Sequence, residues 1–350
     1  MIGILGVATH LPPQVRTNDW WDPETVAGWR GVYGPPALPE QVTDGMALVL
    51  RALKDNAADP FSGVVERRVL AADLSAADME YDAAQRAIAR AGIDRAQIGL
   101  LLTHTVVPEY LASNPSCRLH HRLGLPADCL SVQADATAYS FMAQVALAQA
   151  MLARGGGRPY ALLVQSAVGS RLLDPGDPDS PVFGDGAAAV VLGPVPAGGI
   201  LGSAHRTDGR YPLALVASVR GGRWYDGGGP IVLHRADPAA MAEVFLRTAD
   251  LAKVVVDAAL TDAALTPADV DFFAVHQGTA WLRQLTQEHT GLSHARTVDT
   301  FAHTGYLFGA SLPLVLETAT HQGALHPGDL VLLHGGGTGA TYGAIALRWT

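Results

Sequence analysis

The stretch from Gly92 to His104, GIDRAQIGLLLTH, returns later in the chain as Ala264 to His276, ALTPADVDFFAVH. Each copy ends a helical pattern, turns through polar residues and enters a short run that is apolar at every position and closed by histidine. Runs such as LLLT and FFAV suit strands buried on both faces, and the preceding AAQRAIARA and AKVVVDAALTDAA suit helices. The echo continues: TAYSF (137–141) is answered by TGYLF (304–308), and each opens a small-residue helix leading to a buried strand, Tyr160 to Val164 and Asp329 to His334. Each half then closes on a glycine-rich turn and an apolar strand, GDGAAAVVLG (184–193) and GGGTGATYGAIAL (335–347). Four matched elements in one order imply two halves folded alike, since short connections and right-handed crossovers treat both copies the same way. The boundary falls near Pro194 to Gly199, giving halves 1–195 and 196–350.

Composition narrows the function classes. With 49% hydrophobic and 16% charged residues in 350, the chain is globular rather than disordered. Its formal charge of −9 carries no basic stripe, which argues against nucleic acid as a partner. The opening MIGILGVATHLPP has no basic residue ahead of its short apolar run, and no stretch reaches the length of a membrane span, so a soluble, cytoplasmic protein with no membrane partner is expected. The two cysteines, Cys117 and Cys129, fit neither a disulfide framework nor a zinc site, which points to a reducing compartment. The pair His120 and His121 lacks any accompanying ligand spacing, and no metal site is expected.

Six local motifs then point to a family. They are ERR at 66–68, SNPSCRLHHRLGL at 113–125, FGDGAAAVVLG at 183–193, VHQGTAWL at 275–282, GYLFGASLPL at 305–314 and TYGAIAL at 341–347. In this order and spacing, from about Val65 to Arg348, the chain resembles the β-ketoacyl-ACP synthase III family. The resemblance implies an α/β thiolase fold whose two pseudo-symmetric halves form a five-layered αβαβα core. It also implies an acyl thioester of coenzyme A or phosphopantetheine as substrate rather than a bound cofactor, with acyl-CoA or acyl carrier protein and a small-molecule acceptor as partners. A homodimer follows too, or a heterodimer with a cysteine-bearing paralogue, with the apolar strand from Ala187 to Leu192 as a candidate for pairing across the interface. In that family a cysteine at the start of a buried helix takes the acyl group, and a histidine and an asparagine from the second half support the chemistry. His276 matches the family histidine.

The other parts depart from the pattern. The segment DATAYSF (135–141) contains no cysteine; aligning Phe141 with the family phenylalanine puts Ala138 at the nucleophile position, while slips of one or two residues put Thr137, Tyr139 or Ser140 there. Tyr306 stands at the asparagine position, with His303 as an alternative residue of the cleft; tyrosine donates one hydrogen bond but lacks the paired groups of an amide. Backbone N–H groups at Ala138 and Thr338 are candidates for an oxyanion hole, and Tyr139 and Phe308 for substrate contacts. The amino-terminal Trp20, Trp21, Trp29 and Tyr33 would form either an acyl- or acceptor-binding lid or a buried surface extension or dimer contact, and the glycine- and arginine-rich loop 218–230 either a rim of the cleft or a plain solvent loop. Three readings follow: an acyltransferase of specialised metabolism delivering an acyl group to oxygen, nitrogen or carbon; a non-catalytic partner in the manner of chain-length factors; and a condensing enzyme whose cysteine has been changed to alanine at 138.

Overall fold

A computed structural model describes residues 1–34, 36–155 and 157–350. The first half is built on a sheet of five strands: β1 (Ile2–His10), β4 (Ile98–Thr105), β5 (Leu130–Gln133), β6 (Tyr160–Val168) and β7 (Asp185–Pro194), in the order β1-β7-β6-β4-β5. The short β2 (Gln14–Thr17) and β3 (Glu66–Val69) form a ribbon beside it. The second sheet repeats the plan with β8 (Gly199–Thr207), β11 (Phe272–Val275), β12 (Leu330–Gly337) and β13 (Thr341–Arg348), in the order β11-β12-β13-β8. The pairings match as well: β1-β7-β6 and β8-β13-β12 are antiparallel, whereas β6-β4 and β12-β11 are parallel. The counterpart of β5 has shrunk to a single parallel bridge between Phe272 and Arg296. A further hairpin, β9 (Val216–Ser218) with β10 (Val232–His234), stands apart from both sheets.

Helices fill the layers. α1 (Pro23–Gly28) and α2 (Asp44–Asn56) precede the first-half helices α3 (Ala76–Ala91), α4 (Pro115–Leu123) and α5 (Ser140–Ala153); α6 (Pro238–Asp262), α7 (Leu282–His289), α8 (Phe301–Thr304) and α9 (Ser311–His321) belong to the second half. α3 covers the outer face of the first sheet and α6 that of the second, while α5 and α9 both lie between the sheets. This is the five-layer αβαβα arrangement. A helix enclosed by sheets needs apolar residues all round rather than on one stripe, and α9 buries eight residues, from Ser311 to Leu316 plus Glu317 and Ala319. α3 has only one apolar side, begins on a Ser75–Asp78 capping box and stops at Gly92 in the left-handed conformation, φ 64°.

Three expectations change here. The TAYSF and TGYLF echo is out of step with the backbone: Thr137 pairs structurally with Phe308, both left-handed at φ 53° and 50°. In each half the serine that follows, Ser140 or Ser311, accepts a hydrogen bond from the N–H four residues earlier, at Ala136 or Leu307. The strand Ala187–Leu192 cannot pair across an interface, because β7 lies between β1 and β6 and those residues are buried; the edges of this sheet are β1 and β5. α2, although early in the chain, packs on α6 and α7 of the second half. Among the described residues no helix is long and apolar enough to cross a membrane.

The FGDG motif is a structural clamp. The buried Asp185 carboxylate accepts the N–H groups of Leu70 at 2.7 Å and Ser170 at 2.9 Å and the Ser170 hydroxyl at 2.5 Å, tying β3 and the end of β6 to β7. Asp185→Ala strands these donors, and urea unfolding is expected to show a loss of roughly 3 kcal/mol.

Candidate active site

A cavity of about 570 Å³ opens where the two halves meet. Its lining comes from α1 and the turn after it, with Trp29 and Tyr33, from residues 53–62, and from the N-terminal part of α6, with Met241, Val244, Phe245 and Thr248 spaced along one helical face. The cavity reaches inward to His276, Phe183, Tyr306 and the turn Gly336–Thr338.

His276 leaves the end of β11 with its N–H bonded to the His334 carbonyl at 2.9 Å. The next residue fixes the turn: Gln277, buried, donates its amide to the Val298 carbonyl at 2.8 Å and accepts the N–H groups of Thr300 and Phe301 at 3.0 and 3.3 Å. Burial, helped by the neighbouring His334, pushes the His276 pKa down to about 3, so the ring is neutral at physiological pH. Its Nε2 has no partner among the described residues.

Tyr306 faces it with ring centroids 5.1 Å apart. A strand-like bridge pins its backbone, the N–H to the Val182 carbonyl at 2.7 Å and the carbonyl to the Gly184 N–H at 3.3 Å. The bridge requires glycine just before it: Gly305 is left-handed at φ 65°, and a Cβ there would stand 2.7 Å from the Val182 oxygen. Burial raises the Tyr306 pKa far above that of a free phenol, so its hydroxyl remains protonated.

The segment at the nucleophile position is arranged differently from expectation. Ser140 accepts the Ala136 N–H at 2.8 Å and donates to the Thr137 carbonyl at 2.6 Å; fully buried, this hydroxyl is a helix-start fastener and not a nucleophile. Thr137 points its hydroxyl at the Thr338 carbonyl, 3.4 Å away, and is absent from the cavity wall. Tyr139 turns into the layer between the sheets, where its hydroxyl meets the His205 imidazole, so it is no substrate contact. Ala138 packs with Phe183, Phe301, Tyr306 and Phe308 rather than lining the cavity. Phe308 lies behind the wall too, stacked on Phe183 at 5.6 Å. His303 is exposed on α8, 3.7 Å from the Glu66 carboxylate, and is not a residue of the cleft.

Of the residues expected at the site, His276, Tyr306 and Thr338 thus share the cavity wall. Among the tryptophans, Trp29 lines it, Trp21 is buried behind with its indole N–H on Ser180 at 2.9 Å, and Trp20 is exposed. Loop 218–230 stays outside the cavity, although the hairpin that bears it contributes Leu215 and Arg235 from its base. Cys117 is exposed on α4, and burial pushes the Cys129 thiol up to about 11. Sequence reasoning missed Gln277, Thr279 and the Arg235–Asp179 pair, whose two contacts are both 2.6 Å. The first two sit in the same turn as His276, a signal that was there to use; nothing local marks Arg235. Thr279 is nearly buried and its hydroxyl has no partner among the described residues.

Tyr139→Phe removes only the bond to His205. It is expected to cost about 1 kcal/mol in urea unfolding and to leave acyl-CoA binding, followed by tryptophan fluorescence, unchanged; a weakened affinity would return Tyr139 to the substrate.

Two family descriptions match the chain: 3-oxoacyl-[acyl-carrier-protein (ACP)] synthase III over residues 133–209, and its C-terminal part over residues 260–349. Among solved structures, 3-oxoacyl-(acyl carrier protein) synthase III, FabH, from Pseudomonas aeruginosa PAO1 is 25% identical with a TM-score of 0.78, over 99% of this chain and 98% of that one. FabH from Thermus thermophilus is 24% identical, TM-score 0.78, over 99% of each chain. A histidine-to-asparagine variant of OleA from Xanthomonas campestris is 22% identical, TM-score 0.79, over 99% of this chain and 98% of that one. The last two bear on the fold alone. Motifs, layers and matches agree: the chain is a β-ketoacyl-ACP synthase III-like protein of thiolase fold, in a family of acyl-transferring enzymes.

Proposed function

We propose that the chain moves an acyl group directly from a coenzyme A or carrier-protein thioester to the oxygen or nitrogen of a small-molecule acceptor, with no acyl-enzyme on the way. The observation that carries this reading is the pairing of a neutral imidazole with a protonated phenol, His276 and Tyr306, on a cavity wall from which Ala138, Ser140 and Thr137 are absent. His276 takes the acceptor's proton as its heteroatom attacks the thioester carbon. Tyr306 donates a hydrogen bond to the oxygen that becomes negative, with the Thr338 N–H as a second donor. Collapse of the adduct breaks the carbon–sulfur bond, and the imidazolium returns its proton to the departing thiolate. Decarboxylative condensation has no part here, since the family's asparagine is replaced by Tyr306. We place the reaction in the cytoplasm and in specialised metabolism.

The chain works as a dimer in this proposal. β5 offers an unpaired edge, and the exposed Leu130 and Val132 on it are joined by exposed Leu147 and Met151 of α5. A second copy is the first candidate. A cysteine-bearing paralogue on the same edge is the alternative, favoured by the missing nucleophile; it would make this chain a non-catalytic partner. A simple cysteine-to-alanine change fits less well, because the aromatic rings of residues 306 and 308 already occupy the space beside residue 138.

His276→Ala should lower transfer by about a hundredfold or more, as loss of a general base does, and Tyr306→Phe by roughly tenfold or more, both with folding retained. Intact mass after incubation with acyl-CoA should show no adduct. Turnover only in the presence of a paralogue would replace the transferase with the partner reading.

The pH dependence has a definite sign. A lowered histidine pKa shifts the acid limb of the rate downward, so kcat/KM should stay level from about pH 7 to 5, where an ordinary imidazole near 6.5 would lose most of its free base. An acid limb with a midpoint close to 6.5 would remove His276 from the role of base.

A further inference from the structure

The cavity is lined by His276, Tyr306 and Phe183, whereas Ala138, beside the start of α5 where the family holds its acyl group, is not on its wall and belongs to a buried cluster with Phe183, Tyr306 and Phe308. Three of its rings pack together: Phe308 stacks on Phe183 at 5.6 Å with 12° between planes and meets Tyr306 at 4.7 Å. Ala138, only 6% exposed, packs into the same cluster. Phe308 holds its ring there from a left-handed backbone, φ 50°, a conformation that glycine adopts freely and that a residue with a side chain disfavours. The left-handed turn itself comes with the duplicated fold, because Thr137 adopts it in the other half at φ 53°. What is particular to position 308 is the large ring, packed into the cluster that also holds Ala138.

We propose that Phe308 determines the route of transfer: its ring closes the space between the His276–Tyr306 pair and Ala138, so the donor's acyl carbon stops at the pair and never reaches the start of α5. This rests on reading the cavity as a thioester site, but the barrier can be tested without that reading. The restriction also bears on substrate. An acyl chain cannot extend past Tyr306 toward α5, so whatever is transferred must fit on the His276 side of the rings.

The experiment uses the full chain with Cys117→Ser as background, leaving the buried Cys129 as the only native thiol. Ala138→Cys alone and Ala138→Cys with Phe308→Ser are treated with iodoacetamide and followed by intact mass. Access controls thiol reactivity, so the double variant should gain one adduct roughly tenfold faster or more; equal rates, or no adduct in either, would overturn the proposal. Cys129 reports on folding, since a second adduct marks an opened chain, and if Phe308→Ser opens it, Phe308→Leu replaces the ring with a smaller apolar group and must show the same ordering. Acetyl-CoA is then added. In the double variant the introduced thiolate attacks the thioester carbon, a new carbon–sulfur bond forms, coenzyme A leaves as the thiol, and the mass rises by one acetyl group; the single variant stays unchanged. An acetylated single variant overturns the barrier. If alkylation shows the contrast and acetyl-CoA labels neither form, the barrier stands and the thioester reading of the cavity fails.

Discussion

The structure depends on two helices sharing one dry layer. α5 and α9 lie between the sheets, and Phe141, Met142 and Val145 of the first enter one core with Leu312, Val315 and Leu316 of the second. The N-terminal ends of both helices are buried in that layer, so each helix start must satisfy its own backbone groups. Both do it identically, with a left-handed residue followed three positions later by a serine whose hydroxyl takes an N–H from the turn before. The position of each helix start therefore follows from the packing of the layer. Since the cavity lies beside one of these starts, the chemistry open to the site is limited by the same constraint.

Dryness also sets the protonation states. An imidazole and a phenol taken out of water both favour their neutral forms, the first by losing its affinity for a proton and the second by keeping its own. The same removal from solvent that would be a liability for a charged pair makes His276 a free base and Tyr306 a donor together. Gln277 connects them mechanically: its side chain holds the 298–301 segment, which runs through α8 into Tyr306, against the turn that carries His276.

Much of this was legible in the sequence because strands buried on both faces are largely apolar on both sides, and LLLT, FFAV, YALLV and VLLH show that pattern in matched order. The site was legible only in part. His276 stands at the end of such a strand, where its direction follows from strand geometry. Tyr139, Ser140 and His303 sit in turns and short helices, where a shift of one residue rotates the side chain to another face. The similar letters of TAYSF and TGYLF misled for that reason: the backbone repeat is marked by the serines, Ser140 and Ser311, not by the tyrosines. Arg235 and Asp179 meet from segments 56 positions apart, and neither carries a local pattern.

The departures from the family also depend on one another. A cysteine at 138 would need open space in front of its sulfur for an acyl group, and Ala138 instead shares one buried cluster with Phe183, Tyr306 and Phe308. In a close-packed interior, volume added at one position must be matched by volume given up or room found at its neighbours. Tyr306 and Phe308 are large and Ala138 is small, and the cluster is packed and buried with all three as they stand. The absent thiol, the absent amide and the ring at 308 are best understood as one packed unit, with Ala138 in the core and His276 and Tyr306 on the cavity wall.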